Sequence, residues 1–266
     1  MHPYLEIFGL KIPTYGLISF VGILLAGALA YFLAKRRSLD PNELINIAIF
    51  AVIGVFLGAH LLYAITRIED IIAVCENYGT YENFGEFLKD IWNYCNGMVF
   101  YGGLYGGVLA GFIVIKVRKL SVGQYGDIFA VALPLFHAFG RVGCFFAGCC
   151  YGIPWENGIS GRILGSGNAE SVARFPVQLC ESGILLLLAS LLLLLFLKNK
   201  FSGELMGVYL ASYAVIRFAL EFLRGDEIRG RLFGLSTSQW ISIITLLGVA
   251  VYVLLKLIKR RKSAEE

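Results

Sequence analysis

Charge is scarce in this sequence: only 16% of its 266 residues are Asp, Glu, Lys or Arg, against 58% that are hydrophobic. With a mean hydropathy of +0.72, that composition excludes an ordinary soluble domain, in which about a quarter of the residues are charged. Met1–Thr14 lacks a basic stretch leading into an apolar core and a small-residue cleavage site, so no cleavable signal peptide is expected. Neither a repeat of fixed period nor a polar stretch of domain size interrupts the chain, and one domain over residues 1–266 is the simplest organisation. Carboxylates are missing where a neutralising partner would be wanted. The run Leu133–Gly152 holds one formally charged side chain, Arg141, and no acid.

What is present is a series of apolar windows close to the roughly 20 residues that cross a bilayer. They fall at Tyr15–Ala34, Leu44–Ile65, Met98–Ile115, Tyr125–Phe146, Val177–Leu197, Leu205–Leu223 and Ser238–Leu257. The sequence therefore predicts an all-α integral membrane protein of about seven transmembrane helices. Gly126, Pro134 and Gly140 interrupt the fourth window, which is tolerable where neighbouring helices satisfy freed backbone groups. Basic clusters follow the odd-numbered windows: Lys35 to Arg37, Lys116 to Lys119, Lys198 with Lys200, and Lys256 to Lys262. The positive-inside rule then places the N-terminus outside and the C-terminus in the cytoplasm. Arg224, Arg229 and Arg231 run against that bias, offset in part by Asp226 and Glu227, and mark their loop as functional.

The formal charge of +4 is mostly this topological bias and gives no evidence for nucleic acid; lipid contact is the natural use of Lys259–Lys262. Two outer-face segments are expected, near 67–97 and 153–176. In the first, Phe84, Phe87, Leu88 and Ile91 have helical spacing and predict an amphipathic helix at the interface. The second is rich in Gly and Ser and is expected to move.

An arginine inside an apolar span costs on the order of 3 kcal/mol on insertion scales unless it meets water, a partner or an anion. Arg141 is one such residue, and Arg217, with Glu221 four residues on, is another. Two embedded arginines with few acids to neutralise them point to an anionic ligand. Around them, Phe100 to Gly103, Gly140–Gly152, Phe175 to Glu181, and Arg217 to Arg224 are expected to converge on one membrane depth. Paired glycines at Gly102 and Gly103 would let backbone approach a head group closely.

In order and spacing these residues resemble the prolipoprotein diacylglyceryl transferase family. Gly140, Arg141, Gly143, Phe145 and Gly152 stand at places of its central signature, and Tyr101-Gly102-Gly103 stands for its His-Gly-Gly motif. Pro176, Gln178, Leu179 and Glu181 match its Pro-x-Gln-Leu-x-Glu motif; Tyr213, Arg217 and Glu221 match a later one. Tyr15-Gly16 matches an early pair, and Ser236 with Gln239 a final Ser-x-x-Gln. The resemblance implies transfer of a diacylglyceryl group from phosphatidylglycerol to the lipobox cysteine thiol of a prolipoprotein, with release of glycerol phosphate, at the outer face of the bacterial plasma membrane. It implies Arg141, Arg217 and Tyr101 as catalytic residues. Tyr15, Gly102, Gly103, Cys144, Gly152, Gln178, Glu181, Tyr213 and Glu221 become candidate substrate contacts.

Departures from the pattern are specific. Tyr101 replaces a His, Cys144 and Ala147 replace two Asn, Cys149 replaces a Glu, and His60 stands where an Arg often follows. A phenol with pKa near 10 is a poorer base at neutral pH than an imidazole near 6.5. Either Tyr101 is not the base, or the acceptor differs; His137, one turn before Arg141, is a displaced candidate or a core histidine. Cys144, Cys149 and Cys150 with Cys180 invite a metal or redox reading, but the spacing C-x4-C-C lacks the paired ligand turns and nearby histidine of a zinc site, so small apolar packing or an outer-face disulfide is the expectation. No cofactor and no metal are expected. The rival readings are a related lipid transferase with another acceptor and a non-enzymatic transporter that uses the arginines as an anion site.

Overall fold

A computed structural model describes residues 3–7, 9–160, 172–226 and 231–265. Among them, six helices are long and apolar enough to cross a membrane, and a seventh apolar helix is shorter. They are α1 (Thr14–Arg36), α2 (Pro41–Thr66), α6 (Val122–Ala147), α7 (Val177–Leu197), α8 (Leu205–Leu220) continued by a 3₁₀ turn, and α9 (Thr237–Glu265), with α5 (Phe100–Val117) the shorter one. Each coincides with one predicted window, and the protein is a multi-pass membrane protein. Its exposed side chains agree: Phe32, Leu57 and Leu187 are each at least 66% exposed, which is unfavourable in water and natural against lipid tails. Gly126, Pro134 and Gly140 do not break α6, which runs as one helix. The basic tail expected after the last span continues α9 as helix.

The chain divides into two compact units, Met1–Leu33 with Gly126–Glu266, and Ala34–Tyr125. In the second, α2 and α5 pack backbone to backbone. A Cβ placed on Gly58 would lie 2.2 Å from Gly102 O, and one on Gly54 2.4 Å from Gly106 O. Gly102 and Gly106 meet Gly58 O and Gly54 O in return at 2.2 Å. This is a small-xxx-small interface, the usual means by which helices approach closely without a hydrophobic driving force. Gly103 and Gly107 sit against Val55 in the same interface. The close backbone approach of the glycine pair that the structure shows is made to α2. Arg118 pairs with Glu43 across the far ends of these helices.

Two short helices follow α2 within this unit, α3 (Ile68–Glu76) and α4 (Phe84–Cys95). The second is the amphipathic helix expected from Phe84, Phe87, Leu88 and Ile91. Asn83 caps it by accepting from Glu86 N at 3.0 Å, and Phe87 takes Tyr78 and Tyr81 edge-on. Its C-terminus is tied to α2 by His60 Nδ1, 3.3 Å from Cys95 O. The chain then passes Gly97, whose missing side chain leaves room for the Tyr63 ring.

The first unit begins with a hairpin, β1 (Tyr4–Ile7) against β2 (Leu10–Pro13), before α1. Contacts between helices show an up-and-down order. Asp127, fully buried near the start of α6, accepts from Gly203 N at 2.6 Å and Leu205 N at 3.0 Å, so its carboxylate caps the start of α8. Lys256 reaches Glu204 at that same end. At the other end, the close of α6, the start of α7, the close of α8 and the start of α9 come together. Ser236 and Gln239 there form a reciprocal capping box on α9, with Ser236 N to Gln239 Oε1 at 2.9 Å and Gln239 N to Ser236 Oγ at 3.3 Å.

Candidate active site

At that second end Arg141 finds the acid that its own segment lacks. Arg141, near the end of α6, has Nε 3.0 Å from Oε2 of Glu181, a residue of α7 that is only 1% exposed. Tyr213 of α8 donates its hydroxyl to Glu181 Oε1 at 3.2 Å. His137, one turn before Arg141, places Nε2 3.9 Å from the same oxygen and packs edge-on to the Tyr213 ring. Glu181 is thus the hub of three helices.

Arg217, 7% exposed, pairs with Glu221 at 2.5 Å and donates from Nη2 to Ser238 Oγ of α9 at 3.0 Å. Its Nη1 has no hydrogen-bond partner among the described residues. Arg224 pairs with Asp226 and comes within 4.0 Å of Glu221. Although burial opposes its charge, its hydrogen bonds to Asp226 hold the Arg224 guanidinium protonated. Each of the three arginines has a carboxylate, so the cluster is close to neutral as it stands. This differs from the expectation of few neutralising acids, because Glu181 lies far from Arg141 in sequence and reaches it only through folding, while Glu221 and Asp226 are chain neighbours of the arginines they pair with. A buried pair gains little net stability against an apolar replacement but is costly to half-remove, so the arrangement explains how the arginines are tolerated.

Close backbone packing builds the adjoining loop. Gly152 bridges Arg224 antiparallel, with Ile153 N to Leu223 O at 3.0 Å and Gly225 N to Tyr151 O at 3.1 Å. A Cβ on Gly152 would lie 2.3 Å from Phe175 O, so the glycine admits a third segment, which is a structural use of a residue expected to contact substrate. Gln178 Nε2 donates to Cys149 O at 2.8 Å and fixes the turn after α6. Tyr15 packs against Gly143, whose Cβ would meet its ring at 2.9 Å. Arg174 lies over the Tyr151 ring at 4.5 Å and donates to Gly152 O at 3.1 Å.

Cys144, Cys149 and Cys150 converge as well, with their sulfur atoms within 4.8 Å of one another. Hydrogen bonds with Cys144 and Cys149, and beyond them the charge of Arg224, pull the Cys150 thiol below its ordinary range.

Of the four groups expected to converge, three do so in this unit. The fourth, Tyr101-Gly102-Gly103, belongs to the unit of α2 and α5. Sequence reasoning missed Asp127 and Ser238, and it singled out the three cysteines without showing that their sulfurs meet. Asp127 carried a legible signal, as an acid inside an apolar window; the others depend on tertiary contact. Residues 161–171 of the Gly- and Ser-rich segment, and Glu227 and Arg229 of the loop after α8, lie outside the described residues.

Comparison with known proteins agrees with the motifs. The family model for prolipoprotein diacylglyceryl transferase matches residues 3–255. A phosphatidylglycerol–prolipoprotein diacylglyceryl transferase of Clostridium tetani is 38% identical over 255 residues, covering 95% of this chain and 97% of the relative. One from Clostridium perfringens, bearing the same name with the number 2, is 35% identical and covers 98% of both chains. A Campylobacter jejuni transferase of that name is 31% identical over 94% of this chain and 92% of its own. The match runs through every motif placed above, and the chain belongs to the prolipoprotein diacylglyceryl transferase family.

Proposed function

We propose that this protein transfers the diacylglyceryl group of phosphatidylglycerol to the lipobox cysteine thiol of a prolipoprotein, at the outer face of the bacterial plasma membrane. The observation that carries the reading is the buried arginine cluster of Arg141 and Arg217, whose unpartnered Arg217 Nη1 stands among membrane-spanning helices. A lipid phosphodiester is the anion available at that depth. Guanidinium groups suit it, because they present planar donor pairs and remain charged at any physiological pH. As the glyceryl C–O bond breaks and the acceptor S–C bond forms, negative charge grows on the departing glycerol phosphate. Donors already held in place by Glu181, Glu221 and Ser238 stabilise that charge without reorganising.

Glu181 and Glu221 act as orienting partners in this scheme, Tyr213 through Glu181, and Gln178 through the turn it holds. Tyr15 lies at the mouth of the same end. Tyr101 contributes a hydroxyl where the family's motif has an imidazole, positioning the head group by hydrogen bonding. The related reading, with the same lipid donor and a different acceptor, is favoured by that one substitution. Orientation with the N-terminus outside and the C-terminus inside is part of the proposal, and the basic residues at the ends of α1, α5, α7 and α9 support it.

The test is restoration of lipoprotein maturation in cells depleted of their own transferase. Rescue, with phosphatidylglycerol consumed and the lipobox cysteine modified, is the expected result. Failure of a correctly inserted protein to modify any lipobox thiol overturns it in favour of another acceptor.

A further inference from the structure

The thiol cluster has no role in the scheme above. Cys144 ends a turn of α6, three residues after Arg141, while Cys149 and Cys150 lie beyond the helix on a chain that doubles back. Gly148 makes the reversal with φ of 74°, and Cys149 N bonds back to Cys144 O at 3.2 Å. Cys150 itself takes φ of 57°, a left-handed conformation that costs a side-chain-bearing residue on the order of 1 kcal/mol. The turn is held from two sides, by Gln178 on Cys149 O at 2.8 Å and by the bridge between Gly152 and Arg224. The strained residue turns its sulfur toward two others, and all three fall within 4.8 Å.

Three convergent sulfurs exceed what a disulfide uses, since one bridge would leave a thiol over. They match a thiophilic ion: sulfurs about 2.3 Å from a tetrahedral zinc lie about 3.8 Å apart, inside the 4.8 Å that bounds the separations here. We propose that Cys144, Cys149 and Cys150 form a three-sulfur site for a zinc-class divalent cation, with the fourth coordination position left for an outside ligand. Three protein ligands and one open position is the pattern of catalytic rather than structural zinc. Arg224 beside Cys150 offsets the excess negative charge of three thiolates.

On the transferase reading, which this extension rests on, the outside ligand is the acceptor thiol. Its S–H proton passes to water as sulfur binds the ion, because a coordinating thiol is deprotonated. A sulfur electron pair would then form the S–C bond to the glyceryl carbon while the C–O bond to phosphate breaks, and glycerol phosphate would leave carrying the C–O bonding electrons. Such a site would supply the thiolate in a chain whose Tyr101 replaces the family's imidazole.

The experiment uses the full chain in detergent, reduced and freed of metal, titrated with cadmium. One equivalent should bind with a thiolate charge-transfer band in the ultraviolet. Cys144→Ser, Cys149→Ser and Cys150→Ser should each weaken it, and Cys180→Ser should leave it intact. In the wild-type chain, which avoids any folding defect of the variants, zinc should slow maleimide labelling at these three cysteines and leave the exposed Cys75 unprotected. No saturable band, a band that survives replacement of all three, or a disulfide among them whose reduction still yields no binding overturns the site.

Activity separates the two claims. A free thiol with pKa near 8.5 is only a few per cent thiolate at neutral pH, so stripping the metal should lower transfer roughly 30-fold, with zinc restoring it. Metal binding with transfer indifferent to chelation rejects the acceptor as fourth ligand. Metal binding in a holoprotein that transfers nothing to a lipobox thiol rejects the transferase reading and leaves the metal site standing.

Discussion

Glu181 shows how much a single buried residue can decide. It meets Arg141 at 3.0 Å, Tyr213 at 3.2 Å and His137 at 3.9 Å while almost wholly buried. Arg141→Ala should abolish transfer per folded molecule while α6 still inserts, because the span remains apolar without the charge. Arg141→Lys should restore only part, since an ammonium lacks the planar fork; lipid turnover by purified, inserted protein measures both. Glu181→Gln leaves Arg141 buried and unpaired, a loss of about 3–5 kcal/mol, and should appear as a lowered unfolding midpoint as well as lost activity. For Tyr101, a positioning role predicts that Tyr101→Phe slows turnover by about 1–2 kcal/mol, the scale of one hydrogen bond. A base would cost about 10²-fold or more. The smaller effect is expected, and Tyr101→His should keep or raise activity on a lipobox thiol.

At the scale of elements, the glycines of α5 separate what a sequence can reveal from what it cannot. Apolar length places the spans, because crossing a bilayer imposes a fixed length, and the period of Phe84, Phe87, Leu88 and Ile91 places α4. The hairpin of β1 and β2 and the nine-residue α3 leave no comparable signal. Gly102 and Gly103 are visible in the sequence, but their purpose is not. An absent side chain says that something approaches closely, and only the register of α2 against α5 identifies it as Gly58 and Val55. The arginine cluster divides in the same way. Arg217 and Glu221 are legible as neighbours on one helix, whereas Glu181 reaches Arg141 from another helix and the three sulfurs meet through a turn. Gly106→Leu should therefore break the α2–α5 contact. With no void to accept the side chain between Gly54 O at 2.2 Å and Gly58 Cα at 3.0 Å, cross-linking between cysteines introduced on the two helices should fall sharply. An undiminished cross-link would reject this packing account.

For the whole molecule the question is which end of the helices faces outward. Within the unit of α6 to α9, Asp127 with the start of α8, and Lys256 with Glu204, mark one end; Arg141, Glu181, Arg217 and Ser238 mark the other. The basic tail from Lys256 to Lys262 extends from the first of these ends. If the positive-inside rule holds, that end is cytoplasmic and the arginine cluster opens outward, where a secreted lipobox cysteine arrives. Arg224 and Arg231 oppose the rule by charge, but Arg224 is paired with Asp226 and buried, so it serves the site and adds little to the loop's free positive charge. Cysteines introduced one at a time between Glu76 and Glu86 should react with an impermeant maleimide added to intact cells. Those introduced at Arg36 or Lys262 should react only after the membrane is opened. Labelling of Arg36 from outside would reverse the orientation, put the arginine cluster on the cytoplasmic side, and remove a secreted acceptor from its reach.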